Sequence, residues 1–440
     1  MTQKLDIKDW YISRFKDFEN NLNGESQKPI HKLRKEAIAD FSQLNFPTTH
    51  DEEWRFTNIS PLLKYNFKPA GLKKELSKNI LDKFLFKELN CHLIVFVNGL
   101  YEKELSNTKN LPGKVKAGNL GEEIKSGSNL VNEHLGKYAN HQKQIFTALS
   151  TAFTKDGAFI YVPDGIIIEE PIHILFITDS KDEQIFIQPR NLFIADKNSQ
   201  VTIIEHYVSL GDDAYFTNVV TEIVADENSF IDHIKLQEES LKSFHISRTE
   251  IDQERGSNFT SHSISFGGEI ARNDFNSRFN NQGGECTLNG LYLLKSNQLY
   301  DTHTLIDHAK PYCNSHEHYK GILDDQSRGV FNGKIMVRPD AQKTNAFQEN
   351  NNIILSNEAL VNTKPQLEIF ADDVKCSHGA TVGQLDMDSM FYLKSRGIGE
   401  EKARSILIHA FASDVVRSIK IEALRNYLEQ ILDDRFNKEK

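Results

Sequence analysis

The sequence predicts a mainly β protein with a β-helix (solenoid) core, preceded by a helical region and followed by a helical domain. Short runs rich in β-branched and aromatic residues follow one another from about residue 90 to residue 375. Two of these units, "ADKNSQVTII" at 195 and "ADENSFIDHI" at 225, repeat at an offset of thirty residues. Apolar residues with helical spacing flank this region. We therefore divide the chain into residues 1–90, 91–385 and 386–440.

In the N-terminal region, apolar side chains recur at the intervals of an amphipathic helix. The two stripes consist of Tyr11, Phe15, Phe18 and Leu22, and of Leu33, Ala37, Phe41 and Leu44. Pro29 separates them. The connector "NFPTTHDEEWRFTNISPL" follows, and we interpret its cluster Glu52-Glu53-Trp54-Arg55 as a packed aromatic residue among surface charges. A carboxylate pair for acid–base chemistry is the other interpretation.

The central region contains the strand-like runs "CHLIVFV", "HILFI", "VTIIEHYV", "FIDHIKL", "FTSHSISF", "TLNGLYLL", "VFNGKIMV" and "QLEIFA". Asn, Asp, Gly and Ser separate them, and no helix-length pattern intervenes over most of this span. Repeated strand-plus-turn units of this kind favour a solenoid, whose coils bury a continuous core by stacking. Two all-β domains in tandem are the alternative.

After residue 386 the sequence becomes helical again. Asp386 or Asp388 can cap the first helix and Gly397 can end it. Two apolar stripes follow, formed by Ala403, Ile406, Leu407, Ala410 and Phe411, and by Leu424, Leu428 and Ile431. A helical pair at the end of a solenoid would serve as a cap or as a docking surface.

The composition excludes several functional classes. The 440 residues carry a net charge of −10, so nucleic acid is not expected as the main partner. No apolar run approaches the ~20 residues that span a bilayer, and the N-terminus lacks the pattern of a signal peptide. We therefore expect a cytoplasmic protein with reduced thiols and no membrane partner. The chain also lacks a GxxxxGK[ST] loop, so it should neither bind nor hydrolyse ATP.

Histidine and cysteine are concentrated in "YDTHTLIDHAKPYCNSHEHYKG", residues 300–321. The potential ligands are His303, His308, Cys313, His316 and His318. Imidazole and thiolate suit zinc or iron, but this spacing matches no compact zinc motif. Polar residues in hydrogen-bonded turns are the preferred interpretation, and a stand-alone zinc protein is the alternative.

A second pair of potential ligands lies in "ADDVKCSHGATVGQLD", residues 371–386. On a strand, Cys376 and His378 project to the same face, where they could bind iron or an iron–sulfur cluster. Two ligands cannot complete a four-coordinate site, so distant residues or another chain must supply the others. We expect both side chains to face such a companion chain. A half-buried cysteine beside a surface histidine is the alternative interpretation.

This stretch, together with "FYLKSRGI" after it, resembles the signature of the SufB/SufD family of iron–sulfur cluster assembly proteins. "DTHTLIDHAKPYC" and "HYKGIL" are similar to upstream segments of that family, and "DEEWRFT" is similar to the helical leader of its SufD branch. The similarity covers roughly residues 190–432. The chain lacks the cysteine-rich segment of the SufB branch, which indicates the SufD branch.

The resemblance implies a parallel β-helix core, pairing with a SufB paralogue and docking of a SufC ATPase subunit on the C-terminal helices. It also implies that Cys376 and His378 are transient ligands of a nascent cluster at the SufB interface, with sulfur supplied indirectly by delivery proteins. We expect a scaffold subunit without catalytic activity, supporting cluster formation and iron acquisition. The residues expected at or near the ATPase-docking surface are Phe391, Tyr392, Arg396 and Phe411.

Several properties stay open at the level of sequence. Flavin has been associated with such complexes, but nothing in the sequence identifies a flavin site. The isolated chain could form homodimers. A β-helical enzyme acting on polysaccharides is the alternative from a different functional class. Such enzymes are usually secreted, and the missing signal peptide and the acidic charge argue against one here.

Overall fold

The computed structural model of the chain describes residues 6–22, 24–71, 76–181 and 183–436. The helices found in these residues are α1 (Ile7–Asn20), α2 (Pro29–Gln43), α3 (Lys78–Leu81), α4 (Leu120–Ser126), α5 (Asn129–His134), α6 (Ile145–Ala152), α7 (Met387–Ser395), α8 (Glu400–Ser418) and α9 (Glu422–Phe436). The strands found there are β1 (Lys68–Pro69), β2 (His92–Val97), β3 (Leu100–Tyr101), β4 (Lys116–Asn119), β5 (Ala158–Val162), β6 (Ile172–Thr178), β7 (Ile185–Ile187), β8 (Arg190–Ala195), β9 (Gln200–Ser209), β10 (Phe216–Ala225), β11 (Phe230–Glu238), β12 (Phe244–Gln253), β13 (Asn258–Ser265), β14 (Ile270–Phe279), β15 (Glu285–Leu294), β16 (Leu299–His308), β17 (Asn314–Leu323), β18 (Arg328–Val337), β19 (Asn345–Ile354), β20 (Leu360–Ile369) and β21 (Lys375–Gly383).

Two long, mainly parallel sheets face each other and form the solenoid. Sheet 1 has the order β4-β5-β8-β10-β12-β14-β16-β18-β20, and sheet 2 has the order β3-β2-β6-β9-β11-β13-β15-β17-β19-β21. From β8 onward, successive strands belong to alternate sheets, so each coil contributes one strand to each sheet. The prediction of a mainly β protein with a parallel β-helix core and helices at both ends is confirmed.

A column of tight turns explains the repeat that is visible in the sequence. Asn198 and Asn228 both have a φ of +55°, a conformation in which asparagine and glycine are favoured. The amide of Asn198 donates to the carbonyl of Glu227 (2.9 Å), and that of Asn228 donates to the carbonyl of Arg255 (2.8 Å) in the next coil. The same turn position recurs with positive φ at Gly256, Gly283, Tyr312 and Lys343. The thirty-residue repeat is therefore the length of one coil.

Parallel pairing brings equivalent side chains into columns between the two sheets. In sheet 2, one such column runs through Cys286, Ser315, Ala346 and Cys376. Aromatic rings fill much of this interior, as when Phe176 stacks on Tyr207 with centroids 4.7 Å apart. Dense stacking leaves little free volume between neighbouring coils.

Helices cover the outer faces of both sheets. Tyr11 and Phe15 of α1 and Phe41 of α2 pack with Phe216 and Phe244 of sheet 1. On the opposite side, α8 and α9 pack against sheet 2 in a cluster that contains Ile408, Val416, Leu428, Ile264 and Leu291. The C-terminal start and stop signals act as expected: Asp386 accepts a hydrogen bond from the Asp388 amide (3.0 Å), and Gly397 follows α7 with a φ of +85°.

Three short helices, α4, α5 and α6, lie in a region where the sequence predicts mainly strands. Helix α6, "IFTALSTA", is buried along its whole length against α2 and sheet 1. A helix that is buried on all sides shows no amphipathic stripe, so its short apolar run cannot be distinguished from a strand by periodicity. The helical layer over sheet 1 therefore includes residues beyond 90.

We predict that Gly290→Ala destabilises the solenoid by about 1–3 kcal/mol, as overpacking of a dense core does. A Cβ at residue 290, which faces the interior, would overlap the ring of Tyr319 in the next coil. Chemical denaturation measures the free energy of unfolding. Gly118→Ala is the control, because a Cβ there has no atom within 4 Å. Equal stability of the two variants would contradict this view of the interior.

Candidate functional site

The solenoid ends in an uncovered coil. Strands β20 and β21 are the last members of sheets 1 and 2, and in the described chain neither has a neighbour on its outer side. Most residues of β21 are exposed, whereas the preceding strand β19 alternates between buried and exposed positions. The open edges of two sheets and the side chains between them therefore lie at one end of the molecule, which we call the open end.

Cys376 and His378 lie on β21 at this open end. Their parallel partners on β19 are Ala346 and Gln348, whose side chains are buried between the sheets, while the intervening Phe347 is exposed. Cys376 and His378 thus continue an interior column and are accessible because no further coil covers them. They face the mouth of the interior rather than the outer surface of the sheet.

The two side chains differ in environment. Cys376 is half-buried and, like Leu367 and Val374, packs against a small apolar cluster that includes Ile335. Burial raises the pKa of the Cys376 thiol above its ordinary value, so the thiol is protonated at neutral pH. His378 is exposed. A thiol and an imidazole therefore stand two residues apart at a partly apolar entrance.

Apolar side chains surround this end of the solenoid. Phe370, immediately after β20, is 63% exposed, and Leu360, Ile369 and Val382 are also exposed. Large exposed apolar side chains that cluster at one end of a protein mark an interaction surface. Together with the unpaired strand edges, they form a surface suited to another polypeptide.

The four residues expected at the ATPase-docking surface have different environments. Phe391 is 74% exposed, Tyr392 is exposed as well, and the guanidinium of Arg396 lies 5.2 Å from the Tyr392 ring centroid. Phe411 is half-buried on α8 instead. Its ring lies 4.7 Å from the ammonium of Lys320, which also donates to the Phe411 carbonyl at 2.8 Å. Phe411 therefore helps to attach α8 to sheet 2, and α7 carries the exposed aromatic residues.

The histidine- and cysteine-rich stretch does not form one site. His303 lies on the outer face of sheet 1, His308 and Cys313 are buried, and His316 and His318 lie on the outer face of sheet 2. Strand alternation and the turn between β16 and β17 separate them. Among the described residues there is no group of three or more His, Cys, Asp and Glu side chains arranged to hold a metal ion.

A clamp between "DEEWRFT" and sheet 1 was not predicted from the sequence. The guanidinium of Arg272 stacks over Trp54 at 3.8 Å and donates to Asp301 at 2.6 Å. His303 Nδ1 lies 3.1 Å from Glu53 Oε2, and its Nε2 lies 3.1 Å from Asp301 Oδ1. These groups come from segments about 250 residues apart, and no local pattern connects them. The Trp54 interpretation as a packed aromatic residue agrees with this structure.

The charges in the clamp hold His303 in its protonated form. Burial alone would lower its pKa, but the neighbouring Asp301 and Glu53 raise the pKa of His303 to about 9. The pKa of Asp301 is lowered to about 2, because the attraction of Arg272 and His303 outweighs the effect of burial. The clamp thus fastens the N-terminal segment to the solenoid through an ionic network in which Arg272 and Asp301 are buried and Glu53 is exposed.

Comparison with known families places this parallel β-solenoid in a class of assembly proteins. A model described as "SUF system FeS cluster assembly, SufBD core domain" matches residues 176–411, and one for the "SufBD protein N-terminal region" matches residues 5–174. The chain belongs to the SufBD family, which functions in iron–sulfur cluster assembly.

Three relatives illustrate the match. An iron–sulfur cluster assembly SufBD family protein of Synechocystis is 35% identical over 94% of this chain and 93% of its own. The iron–sulfur cluster assembly protein SufD of Escherichia coli is 32% identical over 89% of both chains. SufD of Bacillus subtilis is 26% identical over 98% of both chains. In the described part of the chain, no helix is long and apolar enough to cross a membrane.

We predict that His303→Gln lowers the free energy of unfolding most strongly at low pH. The folded-state pKa of about 9 exceeds the ordinary 6.5, so the stabilisation is complete below pH 6.5 and is lost as the pH rises through about 9. The expected loss at pH 6 is on the order of 2–3 kcal/mol relative to the unmodified chain. Denaturant unfolding at pH 6 and at pH 10 measures it.

His50→Gln is the control, since His50 is exposed in the same connector. It should change the stability little at either pH. A deficit of His303→Gln that is equally large at pH 6 and pH 10 would contradict the ionic origin of the clamp.

Proposed function

We propose that this chain is a SufD-like subunit of an iron–sulfur cluster assembly complex, in which it pairs with a SufB paralogue and binds a SufC ATPase. It supports formation of new clusters and iron acquisition in the cytoplasm, without catalytic activity of its own. One observation carries the proposal: Cys376 and His378 continue an interior column at a solenoid end that none of the described residues covers. The relatives named SufD support the same assignment.

The chemistry of the ligand pair fits a transient cluster. Iron in sulfur clusters is bound by thiolates, and histidine replaces some of them in certain clusters. The chain offers one thiol and one imidazole at this place, so a partner must supply the remaining ligands. Because burial raises the pKa of Cys376, its thiol is protonated in the isolated chain, and iron would displace that proton on binding. A cluster is then the cargo of the interface rather than a permanent component of this chain.

The open end also explains how a paralogue would bind. Strands β20 and β21 present free main-chain donors and acceptors, and a second solenoid end could pair with both of them. Phe370, Ile369 and Val382 would become buried in the same contact. The polar groups and the apolar surface of the open end would then be covered together.

The ATPase subunit is proposed to bind α7 and the adjoining part of α8. Phe391 and Tyr392 are exposed aromatic side chains on the short helix α7, in which Met390 is buried. Aromatic residues of this type often dominate binding energy in interfaces. Phe411, which packs on Lys320, is proposed to stabilise this surface by holding α8 against sheet 2. No residue is assigned to flavin.

The two alternatives receive less support. A stand-alone zinc protein would need His303, His308, Cys313, His316 and His318 in one place, whereas the solenoid distributes them over three regions. A polysaccharide-acting β-helical enzyme has no support from the family match.

Replacing both ligands, in Cys376→Ala with His378→Ala, should reduce cluster formation by about tenfold or more, because metal ligands and their immediate neighbours carry effects of this size. The complex is coexpressed with its SufB and SufC partners without oxygen, and iron and sulfide are measured per complex. Ser377→Ala is the matched control, since Ser377 alternates to the other face of β21. Normal iron and sulfide contents in the double variant would refute the ligand role.

A second prediction concerns α7. Phe391→Ala with Tyr392→Ala should weaken ATPase binding by about tenfold or more, as loss of interface aromatics does. Solution binding of purified SufC measures the effect, and circular dichroism monitors folding. Phe411→Ala is the comparison, which should lower the stability of the helical domain because Phe411 packs on Lys320. Undiminished binding by the α7 variant would place the ATPase elsewhere.

A further inference from the structure

Gln348 lies one coil before the open end. It lies on β19 and is 2% exposed, although it is a polar residue. Parallel pairing sets it next to Glu317 of the preceding coil and next to His378 of the following coil. A column of three polar side chains therefore leads from the interior to the proposed ligand at the open end.

The side-chain amide of Gln348 has a fixed direction. When Glu317 is ionised its Oε2 can only accept, so Nε2 of Gln348 donates to it. Its carbonyl oxygen, Oε1, is buried and has no hydrogen-bond partner among the described residues. A buried acceptor without a donor costs about 1–3 kcal/mol, so such an oxygen in a native protein calls for an explanation.

The surroundings keep this amide in place. Gly333 of β18 faces it across the interior, and a Cβ at residue 333 would overlap the Gln348 amide and the ring of Phe331. Burial raises the pKa of Glu317 to about 7, while the hydrogen bond from Gln348 opposes that rise. Glu317 and the space left by Gly333 thus hold Gln348 with its carbonyl oxygen free.

We propose that Gln348 is a positioning residue for His378, whose ring N–H donates to Gln348 Oε1 when a partner covers the open end. The other ring nitrogen of His378 then carries its lone pair toward iron. This inference rests on the ligand role of His378 proposed above. Histidine ligands of metals commonly donate their second nitrogen to an oxygen acceptor, which fixes the tautomer and the ring orientation.

Gln348→Met tests the proposal, because methionine keeps much of the size and flexibility of glutamine and removes the acceptor. In the coexpressed complex we expect about tenfold less cluster formation. On a His378→Ala background the same substitution should have no further effect. Asn350→Leu is the matched control: Asn350 is also buried on β19, but its neighbour in β21 is Ala380. Its effect should be small and should add to that of His378→Ala.

A spectroscopic measurement separates positioning from general disturbance of the strand. Nitrogen-15 resonances of labelled histidine report which ring nitrogen carries the proton, and His378→Ala identifies the signal of His378. In the complex, we expect one dominant tautomer of His378, and a mixture of both in Gln348→Met. Glu317→Gln gives an independent test. An amide in place of that carboxylate can donate as well as accept, so that both orientations of the Gln348 amide become possible. It should also produce a mixture of tautomers.

The outcomes distinguish this inference from the function on which it rests. Full cluster formation in His378→Ala would overturn both. A large loss in His378→Ala, together with an unchanged tautomer and normal cluster formation in Gln348→Met, would overturn the positioning role alone. If Gln348→Met does not fold, an unchanged tautomer in Glu317→Gln would overturn it. An equal loss in Asn350→Leu and Gln348→Met, each additive with His378→Ala, would also do so.

Discussion

In-register parallel stacking is the constraint on which the rest of this structure depends. Each side chain between the sheets touches its counterpart in the coil before and in the coil after, as Ala346 does between Ser315 and Cys376. The coil length must therefore stay close to thirty residues, and each coil needs a turn at the same place. Asparagine and glycine meet that need at Asn198, Asn228 and Gly256, where φ is positive.

Stacking also makes the two ends of the solenoid unequal. At the beginning, antiparallel partners close the first coils: β3 pairs with β2, and β4 pairs with β5. Helices α1, α2 and α6 cover sheet 1, and α8 and α9 cover sheet 2. In the described chain, β20 and β21 receive no such protection. Natural sheets usually shield their edges, so an unshielded pair of edges at one end fits a surface that another chain completes.

The sequence was informative where structure depends on neighbouring residues. Strand runs, the coil repeat, the Asp386 cap and the Gly397 stop all depend on short patterns, and the structure contains them. The sequence was uninformative where burial on all sides or contact with a distant segment determines the structure, as for α6 and for the contact between Trp54 and Arg272. The direction in which the side chains of the open end point is also decided by distant segments. The side-chain alternation puts Cys376 and His378 on one face, but only the register with β19 identifies that face as the interior.

The polar side chains in the last coils affect the free energy of the open end. Farther back, the interior contains packed rings and also paired polar groups such as Glu205 and His233, whose Oε1 and Nε2 lie 2.9 Å apart. At the open end, Gln348 donates to Glu317, but its Oε1 has no hydrogen-bond partner among the described residues, and a partner that covered the exposed His378 would remove the hydration of that ring as well. A chain that closed its own solenoid would gain stability from apolar residues at these positions. On the function proposed above, a partner, or the iron and sulfur held between two partners, would supply the interaction that the free acceptor of Gln348 lacks. The same side chains that make the isolated end costly would then make the covered end specific.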